Sequence, residues 1–229
     1  MINQATQRGY IDLHTVYPAE KIVSENYTIK KFSLSASEVT MELIRNRRDY
    51  WLVRGLKPDF EYVKLVKTGG EGGKGIMMSD TPMERNTNEA FLKKANGDVI
   101  IFGLGLGLIV LPLLSDPTVK SITVVELYQD LIDTVTPILK PYDKQNKLTV
   151  VQGDAFTYKP LKTAKFDTIY FDIWIAISDD NYEEQKKLER GIRKHLNKEN
   201  PNAFMDSWLK SYYQKERRKE KRNGNAYGW

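Results

Sequence analysis

The chain of 229 residues contains no cysteine and only two histidines, His14 and His195. Disulfides, thiolate zinc sites and a cysteine nucleophile are thereby excluded, and a histidine-rich metal centre has too few residues to build it, so no metal site is expected. Long apolar runs are missing as well. None reaches the roughly 18 residues that cross a bilayer, and the N-terminus carries no apolar stretch of the secretory kind. The expectation is a soluble, cytoplasmic protein with no membrane partner. No internal repeat of roughly 20–50 residues is visible, which argues against a solenoid. Any chemistry has to run on carboxylates, hydroxyls and amines.

What is present is enough for a sizeable core: 41% hydrophobic and 11% aromatic residues, with 28% charge to keep the surface wet. The length suits a single α/β domain with an added piece. Net charge is +5, and much of the excess lies in Lys215, Arg217, Arg218, Lys219, Lys221 and Arg222, interleaved only with Glu216 and Glu220. This basic tail either ends a solvated helix favourably against its dipole or offers phosphates a docking point, which leaves nucleic acid open as a partner.

The first part of the chain alternates short polar and apolar stretches. Val39, Leu43 and Tyr50 in Glu38–Tyr50 have helical spacing; Phe60–Lys67 alternates with period two; and glycine-rich 69–75 before Ile76-Met-Met78 predicts a turn joining two strands of a β-hairpin. Thr87–Ala95 predicts a short helix, broken at Asn96-Gly97. A regular pattern follows: strand Val99–Phe102, helix about 105–114, strand Ile122–Glu126, helix about 128–139, strand Leu148–Val151 and strand Phe166–Asp172. Short apolar strands separated by helices are the signature of a parallel sheet covered on both faces. Beyond Asp172 only helices are legible, at Asn181–Leu196 and Ala203–Arg222, so the sheet is expected to stop early at its C-terminal side. The resulting division is an N-terminal appendage over 1–96, a core over 97–200 and a basic helical tail over 201–229.

Chemistry is suggested at the ends of the core strands. Gly103-Leu-Gly105-Leu-Gly107 directly follows the first of them and opens a helix, where missing β-carbons let backbone approach a ligand; the alternative is tight strand-to-helix packing. Glu126 ends the second strand 23 residues after Gly103, near the spacing at which a carboxylate accepts hydrogen bonds from an adenosine ribose. Position 108 is leucine where a dinucleotide fingerprint wants its third glycine, which disfavours NAD. Asp154 in Gly153-Asp-Ala-Phe156 places a carboxylate where an adenine amino group could donate, or caps a turn. Asp172, at the tip of the fourth strand, either orients and deprotonates an amine nucleophile or serves as a cap. Tyr170, Phe171 and Trp174 form a substrate wall or simply pack, with packing favoured for Phe171. Asp179, Asp180, Glu183 and Glu184 attract a cationic acceptor or serve a helix N-terminus.

FGLGLGL, VVEL, QGDAF and FDTIYFD, in this order over about residues 97–173, resemble the successive motifs of class I S-adenosylmethionine-dependent methyltransferases. The resemblance implies a Rossmann-like α/β fold with S-adenosylmethionine as cofactor. Gly103, Leu104, Gly105 and Gly107 would bracket its methionine part, Glu126 and Leu127 its ribose, and Asp154 and Ala155 its adenine, with Asp172 beside the sulfonium. Within that superfamily the chain is most similar to the spermidine synthases. Gly75–Asp80 followed by Glu84-Arg-Asn-Thr-Asn-Glu89 resembles their segment before the core, and Ile101 is apolar as theirs is; Thr87 and Asn88 stand where an aromatic residue and a histidine are usual. Leu106 replaces their acidic residue in the glycine loop, and their second carboxylate after the fourth strand is missing from Asp172–Ala176. The resemblance also implies three strands after the fourth, which the sequence does not display.

These readings converge on a group-transfer enzyme with Asp172 as catalytic residue and a small-molecule acceptor contacted by Glu84, Glu89 and Trp174. The alternatives are aminopropyl transfer from decarboxylated S-adenosylmethionine to a diamine held by Asp172 with Glu84 or Glu89, and a non-catalytic adenosyl- or nucleic-acid-binding protein. A homo-oligomer stays open.

Overall fold

Alternation in the N-terminal third builds strands that sequence periodicity only half displays. A computed structural model describes residues 9–68, 75–178 and 180–225, with side chains up to residue 219; residues 69–74 of the glycine-rich turn expected at 69–75, Asp179 and the side chains of Lys221 and Arg222 lie outside the described residues. β1 (Ile22–Val23) and β2 (Tyr27–Phe32) precede α1 (Ala36–Arg45), α2 (Tyr50–Val53), β3 (Tyr62–Lys67) and β4 (Gly75–Ser79). The four strands make one antiparallel sheet in the order β1-β2-β3-β4, so the expected hairpin is its β3–β4 half. Tyr27 and Ile29 of β2 point inward with Val63 and Leu65 of β3. α1 starts where it does because Ser35 and Glu38 form a reciprocal cap: the Glu38 amide donates to Ser35 Oγ (3.3 Å) and the Ser35 amide to Glu38 Oε2 (2.7 Å).

α3 (Pro82–Lys94), longer than the helix expected at 87–95, opens on a proline whose missing N–H costs nothing at a first helical position. The core then follows as β5 (Gly97–Phe102), α4 (Val110–Leu114), β6 (Val119–Glu126), α5 (Gln129–Leu139), β7 (Leu148–Gln152), β8 (Thr168–Phe171), α6 (Asp180–Ile192), β9 (Phe204–Ser207) and α7 (Lys210–Asn225). The five strands run parallel in the order β7-β6-β5-β8-β9. This is the Rossmann-like α/β sheet expected from the sequence, with one strand more than was legible. Residues 204–207 pair with β8, so the stretch read as a helical tail from 201 begins inside the sheet and becomes helix only at Lys210. Likewise, 103–109 is turn rather than helix, and α4 is confined to its last residues.

β5 is the central strand, and its residues separate the two halves of the core. Val99 and Ile101 face α4 and α5, while Ile100 and Phe102 face α6, where they meet Ile169, Phe171, Leu188 and Ile192. The four β5 residues Val99, Ile100, Ile101 and Phe102 are at most 1% exposed. Each such side chain contributes about 1.5–3 kcal/mol on burial, which makes β5 the anchor of the domain. Right-handed crossovers explain the segregation of helices: those leading outward through β6 and β7 lie on one face, and α6, leading the other way to β9, lies on the opposite face. The return from β7 to β8 over residues 153–167 contains no helix. No described helix is long and apolar enough to cross a membrane.

Candidate active site

The order of strands reverses beside β5, and at such a switch point the loops after neighbouring strands separate and leave a crevice at the carboxyl ends. Here a cavity of about 330 Å³ occupies that crevice. Gly103, Leu104, Gly105, Glu126, Leu127, Asp154, Ala155, Asp172 and Trp174 line it from the core, and Leu65, Met77, Met78 and Glu84 close it from the hairpin and α3.

The glycines do different jobs. All three have positive φ: +99° at Gly103, +51° at Gly105 and +69° at Gly107. A β-carbon at Gly103 would stand 2.2 Å from the Asp172 carbonyl oxygen, and one at Gly107 would stand 2.7 Å from a Leu139 methyl, so both positions answer to packing of the strand tip and of α5. Gly107 lines no part of the cavity. Gly105 does, and a β-carbon there would meet the Met78 side chain, with Sδ at 2.4 Å. Here the missing β-carbon lets Met78 pack against the glycine loop at the cavity wall.

Glu126 is 6% exposed and draws the glycine loop toward β6: Leu104 donates its amide to Oε2 (2.8 Å) and Tyr128 its amide to Oε1 (2.9 Å). An ionised carboxylate has about four acceptor positions, so these two hydrogen bonds do not exhaust it, and the residue lines the cavity. Asp154 caps its own turn, with Oδ1 accepting from the Phe156 amide at 2.9 Å, while its residue also lines the cavity. The turn-cap reading is thus observed, while for the adenine reading the structure places Asp154 on the cavity wall.

Asp172 and Glu84 line the same cavity. Enclosure pushes Asp172 up to about 7 against a hydrogen bond from the Asn88 amide group. Enclosure, together with the neighbouring charge of Asp172, pushes Glu84 up to about 8. Asn88 is fully buried and links the group: its Nδ2 donates to the Glu84 carbonyl (3.1 Å), and its Oδ1 accepts from the Tyr170 hydroxyl (2.7 Å). Tyr170 stacks on Phe91 with centroids 3.9 Å apart, and Tyr10, whose hydroxyl donates to the Arg85 carbonyl (2.8 Å), is held neutral by burial and by the nearby Asp172. The sequence reading named Asn88 as a position without assigning it a role. The signal was its spacing, since residues four apart on α3 share a face with Glu84.

Glu89 does not join this group. It pairs with Lys93 at 2.6 Å on the outer side of α3 and does not line the cavity. Trp174 lines the cavity and donates its Nε1 to Glu184 (2.7 Å), whereas Phe171 stacks on Phe102 in the core. Glu183 pairs with Arg217 at 2.6 Å and with Lys186 at 3.0 Å, so within the acidic group Glu183 serves α6 and its contact with α7, whereas Glu184 holds Trp174. Met78 and Tyr128 are cavity residues that sequence reasoning missed, because only the docking of separate elements brings them there.

No family profile and no curated protein sequence matches the chain. Among solved structures it is similar to the CcbJ methyltransferase from Streptomyces caelestis (19% identity, TM-score 0.41, covering 53% of this chain and 47% of that one). It is also similar to the glycopeptide N-methyltransferase MtfA complexed with S-adenosyl-L-methionine (22%, 0.39, 53% and 47%). A third is a dimethyladenosine transferase from Plasmodium falciparum (24%, 0.33, 44% and 32%). The matches span less than half the length of these structures.

Proposed function

We propose that the chain is an S-adenosylmethionine-dependent methyltransferase acting on an amine. The observation that carries this reading is the single cavity in which Gly105, Glu126 and Asp154 meet Asp172. The residues fit the cofactor. Gly105 brings bare backbone to the cavity wall, Glu126 keeps acceptor positions beyond its two backbone hydrogen bonds for ribose hydroxyls, and Asp154 with Ala155 gives a polar edge for adenine. When bound, the cofactor supplies an electrophilic carbon on a sulfonium sulfur. The chain's own residues then have three tasks. Met77, Met78 and Trp174 keep water from the cavity, Asn88 fixes the Asp172 carboxylate, and Asp172 holds an acceptor N–H and takes its proton, with alignment supplying much of the rate effect.

A second reading, aminopropyl transfer, is favoured by the pairing of Glu84 with Asp172 at one cavity end, since two carboxylates suit the ammonium of a diamine. Calorimetric titration with S-adenosylmethionine, its decarboxylated analogue and the demethylated product separates the two. Preference for the first, weakened about 10- to 100-fold in Glu126→Gln by loss of charge-assisted hydrogen bonds, supports methyl transfer. Tighter binding of the decarboxylated form selects aminopropyl transfer, and no binding of any of the three overturns both.

A further inference from the structure

The helix-free crossover from β7 to β8 leaves a second concavity, on the sheet face opposite α4 and α5. This groove of about 500 Å³ runs between residues 155–162 and α6, and shares Ala155 and Phe156 with the first cavity. Its charge is one-sided. Lys159, Lys162, Lys187 and Lys194 line it, no carboxylate does, and none of the four lysines has a carboxylate partner among the described residues. Its apolar surface is open: Phe156 is 41% exposed and Leu161 80%, with the Lys187 ammonium 5.5 Å from the Phe156 ring.

Gly191 adds an independent observation. It lies in the last turn of α6, between Lys187 and Lys194 on the groove wall, and a β-carbon built on it meets nothing within 4 Å. A helical glycine costs roughly 0.5–1 kcal/mol against alanine, and no packing among the described residues requires this one. Room on a cationic wall is what close approach of a ligand backbone needs.

We propose that this groove binds single-stranded nucleic acid, with phosphates on the four lysines and a base on Phe156. Four separated cations exceed what one lipid or fatty-acid carboxylate could use, while a strand carries a charge per nucleotide and stacks bases on aromatic faces. The site is distinct from the basic tail, where Arg217 and Lys219 are already paired with Glu183 and Glu216. It does not depend on the adenosyl reading, because strand binding is read without cofactor.

The test is fluorescence anisotropy of a labelled ten-nucleotide single strand on the full chain. Four phosphate contacts give a log–log salt slope of about −2.8, so affinity should fall about 50-fold from 50 to 200 mM salt. Lys162→Glu/Lys187→Glu/Lys194→Glu should abolish binding with an unchanged melting temperature. Gly191→Leu should melt higher yet bind at least tenfold more weakly, a combination a purely structural glycine would not produce. The proposal is overturned if wild type does not bind at 50 mM salt, or if the lysine variant binds normally. It is overturned equally if Lys215→Glu/Arg218→Glu alone removes binding, or if polyglutamate displaces the strand as well as an unlabelled strand does.

Discussion

At the scale of single residues, the glycine loop combines two demands that its sequence spacing merges. Gly103 is held by backbone: its own amide donates to the Val125 carbonyl at 2.8 Å, and the Asp172 carbonyl occupies the position a β-carbon would take. Neither partner can retreat without separating β5 from a neighbouring strand. At Gly105 the obstacle is a flexible methionine side chain, which can shift at the expense of its contact with the Leu106 amide, beside a cost of about 1–2 kcal/mol for the left-handed backbone. Gly103→Ala is therefore expected to lower thermal stability by more than 3 kcal/mol, on the order of 10 °C in this size range. Gly105→Ala should melt within a few degrees of wild type but bind S-adenosylmethionine at least tenfold more weakly. Thermal melts and titration of the two variants check this, and equal losses of stability would contradict the division of roles.

At the scale of elements, the meeting of α3 with the tip of β8 creates a titration that neither element would have alone. Glu84 and Asp172 have folded-state pKa values raised to about 8 and about 7, so between pH 4 and 8 the folded chain binds more protons than the unfolded chain. Their contribution to stability is thus fully present below the unfolded carboxylate range and lost as pH rises through 7 and 8. Glu84→Gln should flatten this decline and raise the melting temperature at pH 8 by on the order of 5 °C, with little change at pH 4, as melts across pH will show. An acceptor amine that needs ionised Asp172 should react faster as pH rises through about 7. Only part of this meeting was legible in the sequence. The carboxylates at the ends of β6, β7 and β8 could be placed because a parallel sheet dictates what lies at its strand tips. Asn88 could not, because motif matching drew attention to Glu84 and Glu89, whereas the helix turns Glu89 outward and Asn88 inward. β9 escaped because Phe204-Met-Asp-Ser has no apolar alternation; pairing with β8 makes it a strand. β1 and β2 also owe their identity to a partner, since Lys30 and Lys31 dilute the pattern that Tyr27 and Ile29 begin.

At the scale of the whole molecule, the cavity belongs to two sheets, so its integrity depends on how they are joined. The joint is a shared apolar core, in which Tyr27, Ile29 and Leu65 cluster with Leu104, Leu106 and Leu131, reinforced by local polar ties. Ser24 and Asn26, before β2, donate to the Asp130 carboxylate on α5, the Tyr27 hydroxyl donates to the Asp130 carbonyl, and Tyr17 donates to the Leu106 carbonyl at 2.9 Å. The Leu106 amide also contacts Met78 Sδ at 3.3 Å, which ties the glycine loop to β4 beside the cavity. A ligand filling that cavity should stabilise both sheets together, by about 2.7 kcal/mol at a hundredfold excess over its Kd. Asp130→Ala removes the carboxylate that gathers the β1–β2 turn while leaving the core strands intact, at a cost of about 1–2 kcal/mol. Hydrogen exchange should then quicken in β1 and β2 and stay unchanged in β5 and β6. S-adenosylmethionine should still bind, but more weakly, because the Met77–Met78 wall would be less firmly placed. Uniform acceleration through both sheets would instead mean that they open as one cooperative unit, and that Asp130 supports the fold as a whole rather than the position of the cavity wall.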